Sequence, residues 1–246
     1  PVAVFNDAIR DGLKGSVFDA LDQGYINGKA NKGTAEKVIF GILGGVRGNG
    51  ASWSVEDNAV INYMACHDNH TLWDKLAVSN PEASEEERLR MNRLGAAIVL
   101  LGKGVPFFLA GEELLRTKGG DHNSYMSSDA VNNIDWDSLT QGSPVMEMRD
   151  FYRGLIAMRK ANSFFTQGEA TCTVLDDGTV QVVWTLKGKT AAQAIINPAD
   201  TALDWTLDQG DWGVLLSGWT ANTAPAGTVS GTVTVEGKSV TILTAP

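Results

Sequence analysis

The sequence has few of the residues that build covalent or metal-based frameworks. Among its 246 residues are only two cysteines, Cys66 and Cys172, and only three histidines. Two cysteines are too few for a disulfide scaffold or a four-cysteine zinc site. The cysteines therefore leave the redox environment undecided, and the fold is expected to depend on a hydrophobic core.

Positive charge and long apolar runs are also scarce. Lys and Arg number 20 against 29 Asp and Glu, which gives a net charge of −9. An acidic chain repels nucleic-acid phosphates and anionic lipids, so we expect no nucleic-acid and no membrane partner. The longest apolar region, 95–111, is interrupted by Lys103 and is too short to span a bilayer. Residues 1–7 lack the cationic and apolar parts of a signal peptide.

The first two thirds of the chain alternate between short apolar runs and helical patterns. Strands are predicted at 2–5, 60–66 and 105–110, and helices at 34–43, from Ser84 onward and from Pro144 to about 162. Because the strands are apolar on both faces, we expect a parallel sheet covered by helices. Three strands are too few to close an eight-stranded barrel.

Two glycine-containing segments predict irregular structure. The run 44–50 is too rich in glycine for a helix or strand, and it lacks the spacing of a phosphate-binding loop, so we interpret it as a flexible loop. The Asp11-Gly12 pair predicts a turn within a polar stretch.

Beyond residue 162 the hydrophobic pattern changes to a period of two. Alternating segments at 180–184, 191–195, 213–216, 232–235 and 240–243 predict short antiparallel strands separated by turns such as 176–178 and 236–238. We therefore place a domain boundary there, with one domain at 1–161 and a second at 162–246.

Polar residues follow all three predicted parallel strands, at Asn6-Asp7, His67–His70 and Glu112-Glu113. Ligands bind at the carboxyl ends of such strands. Carboxylates that meet there repel each other, which raises the pKa of at least one and permits acid–base chemistry. A histidine beside an aspartate offers a donor and an acceptor to sugar hydroxyls.

Simpler interpretations of these residues stand beside the functional one. Asp7 fits a turn or a helix cap. A metal site at His67 and His70 lacks a third ligand at a convincing spacing. Cys66 precedes His67 on a strand, where neighbours point to opposite faces, so core packing explains it better than nucleophilic chemistry. Three aromatic residues could stack on sugar rings or pack in the interior, and both alternatives stay open: Trp73, Tyr125 and Trp136.

Four segments resemble one enzyme family. Cys66–Leu76 resembles the fourth signature region of the α-amylase superfamily of glycoside hydrolases, in the form found in type I pullulanases. Gly104–Glu113 is similar to the G-x-P-x-x-x-x-G-x-E strand, the eighth of that superfamily's barrel, and Leu115–Tyr125 resembles the pullulanase loop after it. Val4–Phe18 is similar to the sixth strand region of pullulanases. The four segments occur in the family's order.

The resemblance implies an α/β plus all-β fold. Residues 1–161 would form the C-terminal portion of a (β/α)8 TIM barrel, about strands 6–8, and residues 162–246 an antiparallel β-sandwich. It also implies a pullulanase-type glycoside hydrolase that cleaves α-1,6-glucosidic links in pullulan, branched dextrins and related α-glucans with retention of configuration.

The resemblance also implies roles for individual residues. Asp68 matches the carboxylate that stabilises the transition state, and His67 its partner on the same sugar. Substrate-binding positions are expected at Asn69, Arg116, Asp121, Asn123 and Tyr125. His122 stands where the family is expected to have an acidic residue, which leaves its role open.

The family's nucleophile and general acid follow its fourth and fifth strands, and neither is present in this chain. The expected partners are therefore an α-glucan substrate and an N-terminal part of the same enzyme that carries strands 1–5. No cofactor is expected and no metal ligands are assigned. Structural calcium stays open, because scattered oxygen ligands have no sequence signature. A secreted location is favoured. The alternatives are a non-catalytic α-glucan-binding protein and an inactive fragment.

Overall fold

Three short strands form a parallel sheet in the computed structural model, which describes residues 2–45 and 58–246. The strands are β1 (Val4–Phe5), β2 (Val60–Asn62) and β3 (Val105–Pro106), in that order across the sheet. Ile61 of β2 pairs with Phe5 on one side and with Val105 on the other, both in parallel. The predicted parallel arrangement is confirmed, with strands shorter than the apolar runs. Residues 46–50 of the predicted glycine-rich loop lie outside the described residues.

Seven α-helices are described, and none of them is long and apolar enough to cross a membrane. They are α1 (Asp7–Lys14), α2 (Lys32–Ile42), α3 (Leu72–Ser79), α4 (Glu85–Leu101), α5 (Asp129–Asn132), α6 (Pro144–Ala161) and α7 (Phe164–Gln167). The predicted starts of α4 and α6 are confirmed: Ser84 and Glu87 form a capping box, and Pro144 follows the Ser143 cap.

The turn predicted at Asp11-Gly12 is wrong, because both residues lie inside α1. The side chain of Asn6 caps this helix by accepting a hydrogen bond from the Ile9 amide at 3.3 Å. A Cβ on Gly12 would lie 2.7 Å from the Cβ of Lys37 in α2. The glycine therefore reflects a close approach of two helices and not a turn.

Removal of the α4 cap gives a modest, testable loss of stability. The Ser84 hydroxyl accepts from the Glu87 amide at 3.2 Å, and the Glu87 carboxylate accepts from the Ser84 amide at 2.7 Å. We expect Ser84→Ala to lower the free energy of unfolding by about 1 kcal/mol, measured by urea titration. Ser84→Thr keeps the hydroxyl that accepts from the Glu87 amide and donates to the Glu87 carboxylate, so it should stay near wild type. Equal losses in the two variants would contradict a capping role.

One face of the parallel sheet is buried and the other is open. Val60 and Asn62 are fully buried on the helix side, where Asn62 donates to the carbonyl of Gly41 in α2. On the other side Phe5 is 47% exposed and Val105 is 50% exposed. The expectation that 2–5 is a buried strand is therefore wrong for this chain, because no described element covers that face.

The C-terminal third is antiparallel, and all five predicted strands are present. Its strands are β4 (Glu169–Val174), β5 (Val180–Leu186), β6 (Lys189–Asn197), β7 (Leu203–Thr206), β8 (Trp212–Ser217), β9 (Thr220–Ala221), β10 (Thr228–Val229), β11 (Thr232–Val235) and β12 (Ser239–Thr244). One sheet of seven strands has the order β10-β8-β12-β6-β5-β4, with β9 beside β8, and β7 pairs with β11.

The hydrophobic core is continuous across residue 162. Trp184 of β5 is fully buried against Phe164 and Phe165, with ring centroids 5.5 and 5.2 Å apart. The same core includes helical residues such as Ile98, and the Tyr25 hydroxyl donates to the carbonyl of Gly178 at 2.7 Å. The antiparallel sheet and the helices thus support each other, and the domain division at 161/162 stays a prediction.

Candidate active-site pocket

Two segments that are distant in sequence meet beyond the carboxyl end of β2. They form the walls of an open pocket of about 200 Å³. We call it the sugar-facing pocket, after the role that the family resemblance predicts for its residues. It is lined by His67, Asp68, Lys118, His122, Asn123, Ser124, Tyr125 and Asn132. Four of the residues predicted from sequence are therefore brought together: His67, Asp68, Asn123 and Tyr125.

His67 and Asp68 form a pair at the rim of this pocket. The His67 Nδ1 lies 3.1 Å from the Asp68 Oδ1, and the two side chains are 85% and 73% exposed. The contact uses one ring nitrogen and one carboxylate oxygen. The second nitrogen and the second oxygen are therefore available to a ligand, and together they offer a donor and an acceptor to hydroxyl groups.

The segment after Asp68 turns through Asn69, whose φ of 66° lies in the left-handed region. Asparagine tolerates this conformation better than most residues. Asn69 does not line the pocket, although the turn directs the following His70 toward His122, with ring centroids 5.5 Å apart. Burial, together with the neighbouring His122, lowers the pKa of His70. The two histidine segments therefore touch directly.

Asp121 does not line the sugar-facing pocket. Its Oδ2 accepts from the Ser127 hydroxyl at 2.5 Å and its Oδ1 from the Asn123 amide at 2.9 Å. These hydrogen bonds lower the pKa of Asp121. Both carboxylate oxygens of Asp121 thus bond within the loop. Two predicted substrate-binding residues of the loop, Asn123 and Tyr125, face solvent, and Tyr125 is 80% exposed.

Arg116 is also set back from the pocket. Its guanidinium donates to the backbone carbonyls of Ala110 and Asn132. Arg116 lines a second cavity of about 440 Å³ together with Trp73. The Trp73 ring packs under the Arg88 guanidinium, 5.2 Å from its centroid, whereas Trp136 is 64% exposed. Of the three aromatic residues left open above, only Tyr125 lines the sugar-facing pocket.

Comparison with known proteins places this chain in one family. No model of a known protein family matches the sequence. The pullulanase of Bacillus subtilis strain 168 is 39% identical over 170 residues, which make up 67% of this chain and 22% of that protein. The solved pullulanase structure from Bacillus acidopullulyticus is 33% identical, superposes with a TM-score of 0.89, and is matched by 99% of this chain. This chain belongs to the pullulanase family.

A further relative has a ligand in its solved structure. The type I pullulanase of Bacillus subtilis, solved as a complex with maltose, superposes with a TM-score of 0.88 at 30% identity, and the match covers 98% of this chain. The chain spans 30% of the Bacillus acidopullulyticus structure and 35% of the Bacillus subtilis structure. It therefore corresponds to a part of the pullulanases it matches.

Three pocket residues of this chain were not singled out from the sequence: Lys118, Ser124 and Asn132. Lys118 and Ser124 lie inside the segment that resembles the pullulanase loop, so their position was visible although their role was not. Asn132 lies beyond that segment and carries no sequence signal. Its place in the pocket depends on the folded path of the loop.

The carboxylates after the other two parallel strands have local partners. Asp7 accepts from the Tyr63 hydroxyl at 2.6 Å and from Arg10 at 2.9 Å. Glu112 is 4% exposed, and its burial raises its pKa to about 8. Repulsion between carboxylates was the predicted cause of a raised pKa at these strand ends. For Glu112 burial is the larger cause, and the charge of Glu113 adds to it.

The described residues contain no group of three or more His, Cys, Asp and Glu side chains that could hold a metal ion. Structural calcium stays a prediction.

Proposed function

We propose that this chain is the C-terminal part of a type I pullulanase, a starch-debranching glycoside hydrolase that cleaves α-1,6-glucosidic links with retention. The observation that carries the proposal is the sugar-facing pocket, where the exposed His67–Asp68 pair meets Asn123 and Tyr125. The family relationship supports it, since pullulanase structures superpose on nearly the whole chain. An extracellular location stays a prediction.

A retaining glycosidase needs two carboxylates about 5–5.5 Å apart, one to attack the anomeric carbon and one to protonate the leaving oxygen. In this proposal Asp68 takes neither role. Its available oxygen accepts from a sugar hydroxyl, and that hydrogen bond strengthens as positive charge develops on the sugar ring. His67 holds the same sugar, and the exposed ring of Tyr125 offers an apolar face with a polar end.

The nucleophile and the general acid would come from an N-terminal part of the enzyme. The strands β1, β2 and β3 would be the last three of an eight-stranded barrel, within residues 1–161, and residues 162–246 its C-terminal β-sandwich. The open face of the sheet, with Phe5 and Val105 about half exposed, supports this assignment. Exposed apolar strands are stable only when another element covers them.

Pullulan hydrolysis tests the proposal directly. The chain alone, the N-terminal part alone and the two together are assayed for release of reducing sugar from pullulan. We expect activity only when both parts are present, because the Asp68 site and the two missing carboxylates must meet. Hydrolysis by this chain alone would contradict the proposal, and so would failure of the complete enzyme to act on pullulan. Binding of maltotetraose without any turnover by the complete enzyme would favour the non-catalytic alternative.

A further inference from the structure

A buried carboxylate ties the loop of the sugar-facing pocket to the helix that follows the His67–Asp68 segment. Asp74 of α3 is 5% exposed. Its Oδ1 accepts from the Thr117 hydroxyl at 2.5 Å, and its Oδ2 from the Lys118 amide at 2.8 Å. Both carboxylate oxygens are used by consecutive loop residues. The backbone of Lys118 is therefore fixed relative to α3.

The side chain of Lys118 lines the pocket and lies between its two segments. The residue is only 7% exposed, and its Nζ donates to the Ser124 hydroxyl at 2.7 Å and lies 3.5 Å from the carbonyl oxygen of His67. His67 and Lys118 are 51 positions apart in the sequence. The ammonium thus joins the two walls of the pocket, and both its acceptors are neutral.

The network continues into the far wall. The Ser124 hydroxyl donates to the Asn132 Oδ1 at 2.8 Å, and the Asn132 amide group donates to the carbonyls of Ser124 and Ser127 at 2.7 and 3.2 Å. The Ser127 hydroxyl in turn reaches Asp121. Lys118 therefore stands at the centre of a series of hydrogen-bonded residues that runs from α3 to the loop that carries Asn123 and Tyr125.

We propose that Lys118 is a positioning residue of this active site. It fixes the distance between the His67–Asp68 segment and the 121–125 loop, and so the place of the sugar between them. The proposal rests on the proposed function, since it names a further residue on which that reaction depends. Lys118 need not touch the substrate to have this effect, because a displacement of about 1 Å in a catalytic group can reduce the rate about 100-fold.

The test uses the complete enzyme, the chain together with its N-terminal part, and measures kcat and KM on pullulan. Lys118→Met keeps most of the apolar stem and removes the donors. We expect it to lower kcat at least about 10-fold with little change in KM, because displaced catalytic groups lose more stabilisation of the transition state than of the bound substrate. Lys118→Arg, which keeps donors at this position, should restore part of the loss. Ser124→Ala removes one acceptor of Lys118 and the donor to Asn132 but leaves the ammonium beside the His67 carbonyl, so it should lower kcat less than Lys118→Met.

Lys238→Met is the matched control. Lys238 is also buried, at 8% exposed, and its Nζ also contacts a backbone carbonyl, that of Pro198 at 3.3 Å. It differs from Lys118 in pairing with a carboxylate, Asp200 at 3.0 Å, and it does not line the pocket. We expect this variant to lose stability without a change in kcat. A wild-type kcat in Lys118→Met, or an equal fall in both methionine variants, would overturn the proposal. If Lys118→Met does not fold, Ser124→Ala and Lys118→Arg take its place. A kcat below wild type in either variant supports the proposal, and a wild-type kcat in both overturns it.

Amide hydrogen exchange separates this proposal from the proposed function. In Lys118→Met, but not in Lys238→Met, the amides of residues 119–125 should exchange faster than in wild type. Unchanged exchange would overturn the positioning role even if the enzyme is active. If the wild-type enzyme does not hydrolyse pullulan, the proposed function fails, and faster exchange still supports Lys118 as the residue that holds the loop.

Discussion

In the complete enzyme, Asp68→Asn is expected to reduce kcat on pullulan by at least about 100-fold, with a much smaller effect on KM. A hydrogen bond to a charged carboxylate that strengthens in the transition state supplies several kcal/mol in glycosidases, and each ~1.4 kcal/mol is a factor of ten in rate. Asparagine has nearly the same shape but no negative charge. The substitution therefore removes transition-state stabilisation and leaves most ground-state contacts in place.

The local structure makes this substitution a clean one. The Asp68 side chain is 73% exposed, and among the described residues its side-chain polar partner is the His67 ring. No buried network depends on it, so Asp68→Asn should unfold at the same urea concentration as wild type. Asp137→Asn, an exposed aspartate that does not line the pocket, serves as the control and should keep wild-type kcat. Near-normal pullulan hydrolysis by Asp68→Asn would refute the assignment of Asp68.

Local sequence signals predicted the framework of this fold well, because each depends on neighbouring residues. The Ser84–Glu87 capping box and the period-two pattern beyond residue 162 are contained in a few adjacent positions, and the corresponding α4 and β-strands are present. The same holds for the apolar run before the His67–Asp68 pair, which contains a strand of the parallel sheet, so the pair lies beyond that strand's carboxyl end. The structure adds that this strand, β2, is only three residues long.

Features that depend on residues distant in sequence could not be predicted from local patterns. Asp11-Gly12 is a common turn signal, and the sequence therefore predicted a turn. The residue that requires a glycine at position 12 is Lys37, which lies on another helix and leaves no local pattern. Lys118 and Asn132 line the pocket through hydrogen bonds that cross between loops. Phe5 is exposed because no described element packs against its face of the parallel sheet. Tertiary contacts, which no local pattern encodes, decide all three.

Glu112→Gln is expected to change the pH dependence of stability strongly. Glu112 is buried, and its Oε1 lies 3.1 Å from the Tyr152 hydroxyl, which also lies 3.1 Å from the Asn92 Oδ1. The tyrosine has one proton and can donate to only one of these oxygens. If Glu112 is protonated, its own hydroxyl donates to Tyr152, and Tyr152 donates to Asn92. This explains how a carboxyl group is accommodated there without a cation within ion-pair distance among the described residues.

The sign of the pH effect follows from the direction of the pKa shift. Burial raises the pKa of Glu112 from 4.5 to about 8, so the folded state retains a proton that the unfolded chain loses. The stabilising contribution of Glu112 is therefore complete below about pH 4.5 and is lost as the pH rises toward 8. At about 1.4 kcal/mol per pKa unit the total loss is at most about 5 kcal/mol.

Urea unfolding of wild type and Glu112→Gln at pH 5.0, 6.0 and 7.5 measures this contribution. Glutamine keeps the size and a donor for Tyr152 but does not titrate, so the variant should lose much less stability over this range and should be the more stable protein at pH 7.5. Glu82→Gln, at an exposed position that does not contribute to the pKa shift of Glu112, is the control and should retain the wild-type slope. Parallel curves for wild type and Glu112→Gln would mean that Glu112 is ionised in the folded protein, with Tyr152 donating to it and not to Asn92.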